Sequence, residues 1–548
     1  MIYLKDYSKL EECISEEINK ESSLLQSIYK ETGDSEERVD RFAKLIDGVS
    51  QSDILVLDEN DCAAKEPFKI VTQGNKGEYW TQQYIGLLQI TSDGTKEEVF
   101  IRSRFDVNES CEFSKYMLNK ALGLKANILE KVEPSVGRGE ILDLILAIIF
   151  TMQIARAYRK GIYRRYRTYE NNDSKLKGRI DVARHIRLNP IFNGNIAYSS
   201  REYTADNDMN RMILTAYTSL QKRQPGLMRE LEKKYTPVKD FISQLKNIMQ
   251  PASRQEARKL VQKERKKITH AVYSDWESVR KTAILILKYM GIAPEDDGTN
   301  VNGILIDMNY IWERYLVQIV KEKIENKYQI EGKKLFETFF CPGQKPKKLY
   351  PDLVISDKKV ISDKNGPLLI IDAKYKNEWE NVASNKSDKT EREREDCFQI
   401  MSYMYRAKCK FGGIFCPQTK VQDDGKKSLK EYSIFDAPDE KATDEKATDE
   451  KATDEKATVT LFSLQINGIQ GSSKEFAEEM EKREDALCGE ILKKIETHEE
   501  LRNQEMKKIK DMAVFMNTNG MEVKKIAYYL NESASRIQEW IEESSIVQ

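Results

Sequence analysis

Two acids and a lysine are the residues of this chain best equipped for chemistry. Asp352 stands in Tyr350-Pro351-Asp352-Leu353-Val354-Ile355, and Asp372 in Leu368-Leu369-Ile370-Ile371-Asp372-Ala373-Lys374-Tyr375-Lys376. Each acid borders an apolar run of strand length, and Lys374 follows the second acid by two. Mg2+ prefers oxygen ligands and keeps several waters, so one or two carboxylates plus a substrate phosphate suffice to hold it. The Ala373 carbonyl could add a ligand. Strand alternation sets Asp372 and Lys374 on one face. Lys374 could then orient or deprotonate an attacking water, or neutralise developing charge, while the cation polarises the phosphate. The pattern points to phosphodiester cleavage. The competing reading is an Asp372–Lys374 salt bridge at a strand end, which wins for any isolated Asp-x-Lys.

These residues need a framework, and 548 residues exceed one core, so about three to four domains are expected. The chain is 40% hydrophobic and 33% charged, with 89 basic against 90 acidic residues. Contact with nucleic acid must therefore come from local patches rather than a basic bias. Eight cysteines without a Cys-x-x-Cys pair, and three histidines, argue against a zinc site or a disulfide framework. Without a signal peptide the chain fits a reducing cytoplasm. The most apolar stretch, 141–155, is interrupted by Asp143 and Gln153 and reads as a core helix, not a membrane span.

Five segments are expected. Residues 1–50 read as a charged helical extension. Residues 51–135 read as a mixed β-rich domain with hairpins. Residues 136–300 read as a helical middle domain. It carries Tyr158-Arg159-Lys160-Gly161-Ile162-Tyr163-Arg164-Arg165-Tyr166-Arg167, whose cations and aromatics suit phosphate contacts and stacking, or else a solvated helix face. A second basic stretch at 254–267 favours the solvated reading. Residues 301–470 read as an α/β unit: a helix through Met308, Trp312, Tyr315 and Ile319, strands at 353–355 and 368–371, a polar loop from 376, a helix through Phe398–Met404 and a strand at 412–417. Within it Asp-Glu-Lys-Ala-Thr repeats four times over 439–458, matching neither helix nor strand, and reads as a disordered insert. Residues 471–548 read as a helical tail ending in three short helices of helix-turn-helix spacing. Its would-be recognition helix has one cation, Arg536, which favours a structural cap over a DNA reader.

Pro351-Asp352 and Asp372-Ala373-Lys374 match the signature of the PD-(D/E)xK nuclease superfamily. Gln399 and Tyr403 resemble the Q-x-x-x-Y element on the following helix of many members. Glu313, in Trp312-Glu313-Arg314-Tyr315, stands where related nucleases carry a helix acid near the metal, with a plain surface acid as an equal alternative. Gly161-Ile162-Tyr163, Leu176-Lys177-Gly178-Arg179-Ile180-Asp181, Glu202-Tyr203-Thr204-Ala205-Asp206 and Asn210-Arg211 look like the middle region of McrC-type subunits of McrBC restriction systems. Tyr84-Ile85-Gly86 and Tyr116-Met117-Leu118 add to that resemblance, which spans roughly 80–435. For 178–181 a structural role is favoured: Gly178 in a tight turn and Arg179 paired with Asp181 or Asp206.

The resemblance implies a multidomain α/β and α protein: a mixed N-terminal domain with β-hairpins, a helical middle region, a C-terminal restriction-endonuclease-like α/β core and a helical tail. It implies a Mg2+-dependent DNA endonuclease subunit of a defence system, with Mn2+ able to substitute. The expected partners are DNA and a separate AAA+ McrB-like GTPase oligomer whose hydrolysis the chain stimulates, with no membrane. The chain has no G-x-x-x-x-G-K-[ST] loop, so no nucleotide is expected on it. Metal ligation falls to Asp352, Asp372 and Glu313. Catalysis falls to Asp352, Asp372 and Lys374, supported by Gln399. DNA contact falls to Arg159, Lys160, Arg164, Arg165 and Tyr403. The alternatives are a non-catalytic adaptor of an AAA+ NTPase, and a standalone nuclease with a C-terminal helix-turn-helix.

Overall fold

A computed structural model of the chain describes residues 2–17, 35–47, 54–57, 69–74, 77–92, 95–107, 111–124, 139–291, 300–337, 348–358, 366–376, 390–419, 430–433, 457–469, 472–530 and 532–547. Most of the 376–396 loop and nearly all of the five-residue repeat lie outside them. The chain forms two compact units, Met1–Tyr315 with Gln470–Ala477 and Leu316–Ile469 with Glu478–Gln548. Among the described residues no helix is long and apolar enough to cross a membrane.

The first unit opens with a five-stranded sheet. Tyr84–Ser92 and Thr95–Arg102 form the expected hairpin. Ile2–Lys5 lies parallel to the second of these strands, and Asn300–Asp307 lies antiparallel to the first and parallel to Ile54–Leu57. Two expectations change here. The first residues are not a helical extension: Ile2 and Leu4 are sheet core, and helices Leu10–Glu17 and Ser35–Asp47 pack Ile14, Phe42 and Ile46 into it. Nor does a new domain begin near 301, because Asn300–Asp307 brings Leu305 into this same core. Both strands are four to eight residues long, and tertiary pairing decides their place.

Helix Gly139–Tyr158 is the buried centre of the middle region, packed by helices Thr236–Ile248 and Ser274–Tyr289. Its polar interruptions are matched across that packing. Arg223 Nε and Gln224 Nε2 donate to Asp143 Oδ2 at 2.6 and 3.0 Å, and Thr282 Oγ1 donates to Gln153 Oε1 at 2.6 Å. The matching is partial, since Gln153 Nε2 is buried without a hydrogen bond among the described residues.

The middle region is not wholly helical. Arg165–Asp173, Ile196–Thr204 and Arg179–Ile180 form a three-stranded antiparallel sheet. Its first strand has both faces exposed, so no apolar alternation announces it. Gly178 serves close approach rather than a tight turn, since a Cβ there would lie 2.3 Å from the Ser199 carbonyl oxygen. Arg179 takes neither expected acid. Asp206 pairs with Arg167 at 2.6 Å, and Asp181 caps helix Val182–Leu188 by accepting from Arg184 N at 3.0 Å.

Asp106 gives this unit a pH signature. Burial raises its pKa to about 6, although Ser114 donates to it through both Oγ and backbone N, the latter at 3.1 Å. A carboxyl raised in the folded state favours folding below its unfolded pKa and loses that contribution as pH rises through about 6. Asparagine keeps the shape and stays neutral. Asp106→Asn is therefore expected to match the wild type below about pH 4 and to gain about 3 kcal/mol above pH 7. Denaturant melts across pH measure it; a variant less stable at pH 7.5 would contradict the assignment.

The second unit is built on a six-stranded sheet. Its order is Tyr328–Gly332, Leu353–Asp357, Leu369–Ala373, Phe411–Gln418, Thr458–Gln465, Lys430–Ser433. The strand at 412–417 is thus internal, with two more beyond it. Helix Thr390–Ala407 covers one face, where Val354, Ile370, Ile400, Tyr403, Met404, Ile414 and Leu461 form a core. Gly412 lets that helix approach: a Cβ would meet Met404 Sδ at 2.5 Å. The tail differs from three short helices. Its first member is the end of a 46-residue helix, Ser473–Thr518, followed by Val523–Tyr529 and Ala534–Val547. Ile526, Ile537 and Trp540 pack against Ala513, and Arg536 pairs with Glu532 at 3.3 Å while lying over Trp540. The one cation of the last helix is thereby turned to internal contacts.

Candidate active site

The antiparallel register that pairs Leu353 with Ile371 and Val354 with Ile370 sets Asp352 opposite Asp372 at one end of two adjacent strands. Period-two alternation turns both toward helix Thr390–Ala407, on the side of Val354 and Ile370. Both are buried, at 7% and 1% exposure. Ala373 N donates to Asp352 Oδ2 at 2.8 Å, which locks the two strand ends together.

Lys374 enters the same face. Its Nζ lies 2.8 Å from Asp372 Oδ2, a charge pair without hydrogen-bond alignment, and 3.4 Å from Asp396 Oδ1. It donates to Gln399 Oε1 at 2.7 Å, and Gln399 Nε2 donates to Tyr403 Oη at 2.6 Å. Asp396 also accepts from Lys376 Nζ at 2.7 Å. The helix thus supplies Asp396, Gln399 and Tyr403 at spacings of three and four, one face of a helix. Burial opposes the charge on Lys374, but Asp372, Asp396 and Asp352 outweigh it and hold the ammonium above its ordinary range. Burial raises Asp372 despite Lys374 and a contact from Asp352. Tyr403, buried, is pushed up to about 12.

Sequence reasoning placed Asp352, Asp372, Lys374, Gln399 and Tyr403, and the structure brings these five together. It missed Asp396 and Lys376. The signal for Asp396 was its position three before Gln399 and seven before Tyr403. Glu313 belongs to the first unit, on the early part of helix Met308–Ile324, whereas the five clustered residues belong to the second. Tyr403 is buried against Gln399 and offers little surface to DNA. Arg159 and Arg164 are exposed, whereas Lys160 pairs with Asp275 at 2.7 Å and Arg165 with Glu264 at 2.7 Å.

The donor set suits a hard cation. The acids supply carboxylate oxygens, and buried Asp372 Oδ2 has the Lys374 ammonium 2.8 Å away as a charge partner. Among the described residues no three His, Cys, Asp or Glu side chains gather as a ready cage. Two carboxylates with waters and a substrate phosphate need none.

Residues 80–416 match the family described as McrBC 5-methylcytosine restriction system component. No curated protein matches the chain. Among solved structures it is similar to a half-complex from a tetradecameric assembly of Thermococcus gammatolerans McrB AAA+ hexamers with bound McrC. That likeness has 14% identity and a TM-score of 0.37, over 88% of this chain and 99% of that one. The cryo-EM structure of the Thermococcus gammatolerans McrBC complex matches at 16% identity and a TM-score of 0.25, over 58% and 86%. Both scores are low, and the assignment rests on the family match, which spans more than half of the chain. The chain belongs to the McrBC family of restriction-system components.

Proposed function

We propose that this chain is an McrC-type subunit and a Mg2+-dependent DNA endonuclease with a PD-(D/E)xK core, working beside a separate AAA+ GTPase. The observation that carries this is the buried Asp352–Asp372 pair with an ammonium held against it. Asp352 and Asp372 would hold the cation. When bound, Mg2+ would polarise the phosphate and lower the pKa of a bound water. Lys374, kept protonated by its three acids, orients the attacking water and stabilises negative charge on the phosphate. Gln399 fixes the lysine, Tyr403 fixes Gln399, and Asp396 aligns Lys374 from the other side. The AAA+ partner is supported by the family match.

Plasmid cleavage tests this. The full chain with Mg2+, its AAA+ partner and nucleotide is expected to cut, Mn2+ to replace Mg2+, and EDTA to stop cutting without dissociating the proteins. Stimulated hydrolysis by the partner without any DNA cleavage would make the chain an adaptor and overturn the nuclease assignment.

A further inference from the structure

The basic, aromatic segment after helix Gly139–Tyr158 contains two kinds of cation. Lys160, Arg165 and Arg167 are committed to Asp275, Glu264 and Asp206 at 2.7, 2.7 and 2.6 Å. Arg164 and, across the sheet, Arg201 are exposed and have no carboxylate partner among the described residues. Strands Arg165–Asp173 and Ile196–Thr204 pair Tyr166 with Tyr203 and Thr168 with Arg201. Period-two alternation sets these four on one sheet face.

The face is organised for contact. Tyr166 and Tyr203 are 58% and 46% exposed, with ring centroids 5.0 Å apart. The Arg201 guanidinium carbon lies 4.5 Å from the Tyr166 ring centroid. Tyr203 is anchored through its hydroxyl to that of Tyr273 at 2.5 Å. Glu170 shares the face, but its carboxylate is taken by Arg184 at 2.6 Å. Exposed aromatics beside unpaired arginines on an antiparallel sheet match what a single nucleic-acid strand requires: flat faces for bases and cations for phosphates. A duplex keeps its base faces stacked inside and cannot use the rings in this way.

We propose that this sheet face is a stacking platform for unpaired bases of a DNA strand, with Arg164 and Arg201 taking its phosphates. It rests on the reading of the chain as acting on DNA, and adds a contact for displaced or flipped-out nucleotides in the first unit. The test is binding by the full chain in EDTA, where nothing is cut. The probes are an oligothymidylate of about 20 nucleotides, a duplex of equal length and an abasic strand. The oligothymidylate is expected to bind more tightly than both others. Tyr166→Ala with Tyr203→Ala should weaken it about 10-fold per ring lost, leaving the abasic strand unaffected. Tyr166→Phe with Tyr203→Phe should retain binding, since stacking uses the ring. Arg201→Glu should weaken both single strands. Equal binding of duplex and single strand, or alanine variants that bind like the wild type, would overturn the proposal. So would alanine variants that lose only the AAA+ partner, which would make this a protein-docking face. Binding needs no metal and cleavage needs the second unit, so either can fail without the other.

Discussion

Asp372→Asn is expected to lower DNA cleavage on the order of 10³-fold or more, because metal-assisted charge stabilisation is worth several kcal/mol. The fold should survive. Asp372 has a folded pKa raised by burial even after Lys374 and Asp352 act on it, so ionising it costs the folded chain free energy. A group raised in this sense favours folding below its unfolded pKa, and that contribution is lost as pH rises through the folded value. A neutral isostere removes the loss. The melting temperature of the variant at neutral pH should therefore equal or exceed that of the wild type, and the difference should vanish in acid. Complex formation with the AAA+ partner should be unchanged. Cleavage at the wild-type rate by this variant, with the partner present, would sink the metal-ligand role. Lost cleavage together with a collapsed melt would instead make Asp372 a structural residue.

The acids and the lysine were legible because each acid borders a buried apolar run, where an unpaired carboxylate is costly. Their opposition across two strands was not legible. It depends on the antiparallel register of 353 with 371, which no local pattern encodes. Asp396 was hidden in a run of alternating charge, Glu391-Arg392-Glu393-Arg394-Glu395-Asp396, where one acid looks like another. Only its helical offset from Gln399 and Tyr403 separates it. The middle sheet was missed for a different reason. Arg165–Asp173 has polar residues on both faces, so neither a strand period nor a helix period dominates. The same polarity leaves Tyr166 and Arg164 exposed. The features that obscured the strand are those that now suggest a ligand for it.

The lysine raises a sharper question than the acids, since an amine can serve as base or as cation. Asp372 at 2.8 Å, Asp396 at 3.4 Å and the Gln399 carbonyl oxygen at 2.7 Å all favour the ammonium. A base would need surroundings that expel the proton, and here burial alone pushes that way, outweighed by the acids. Substitution by arginine separates the two roles, because a guanidinium keeps its charge and is never deprotonated at working pH. Lys374→Ala is expected to reduce cleavage on the order of 10³-fold, whereas Lys374→Arg should retain roughly 1–10% of the wild-type rate. Cation affinity, followed by Mn2+ binding, should change little in either, since the ligands are the acids. Gln399→Ala should fall between them, because it frees the lysine without removing its charge. If Lys374→Arg is as inactive as Lys374→Ala while both bind Mn2+ and melt like the wild type, the ammonium role fails and the amine must take a proton.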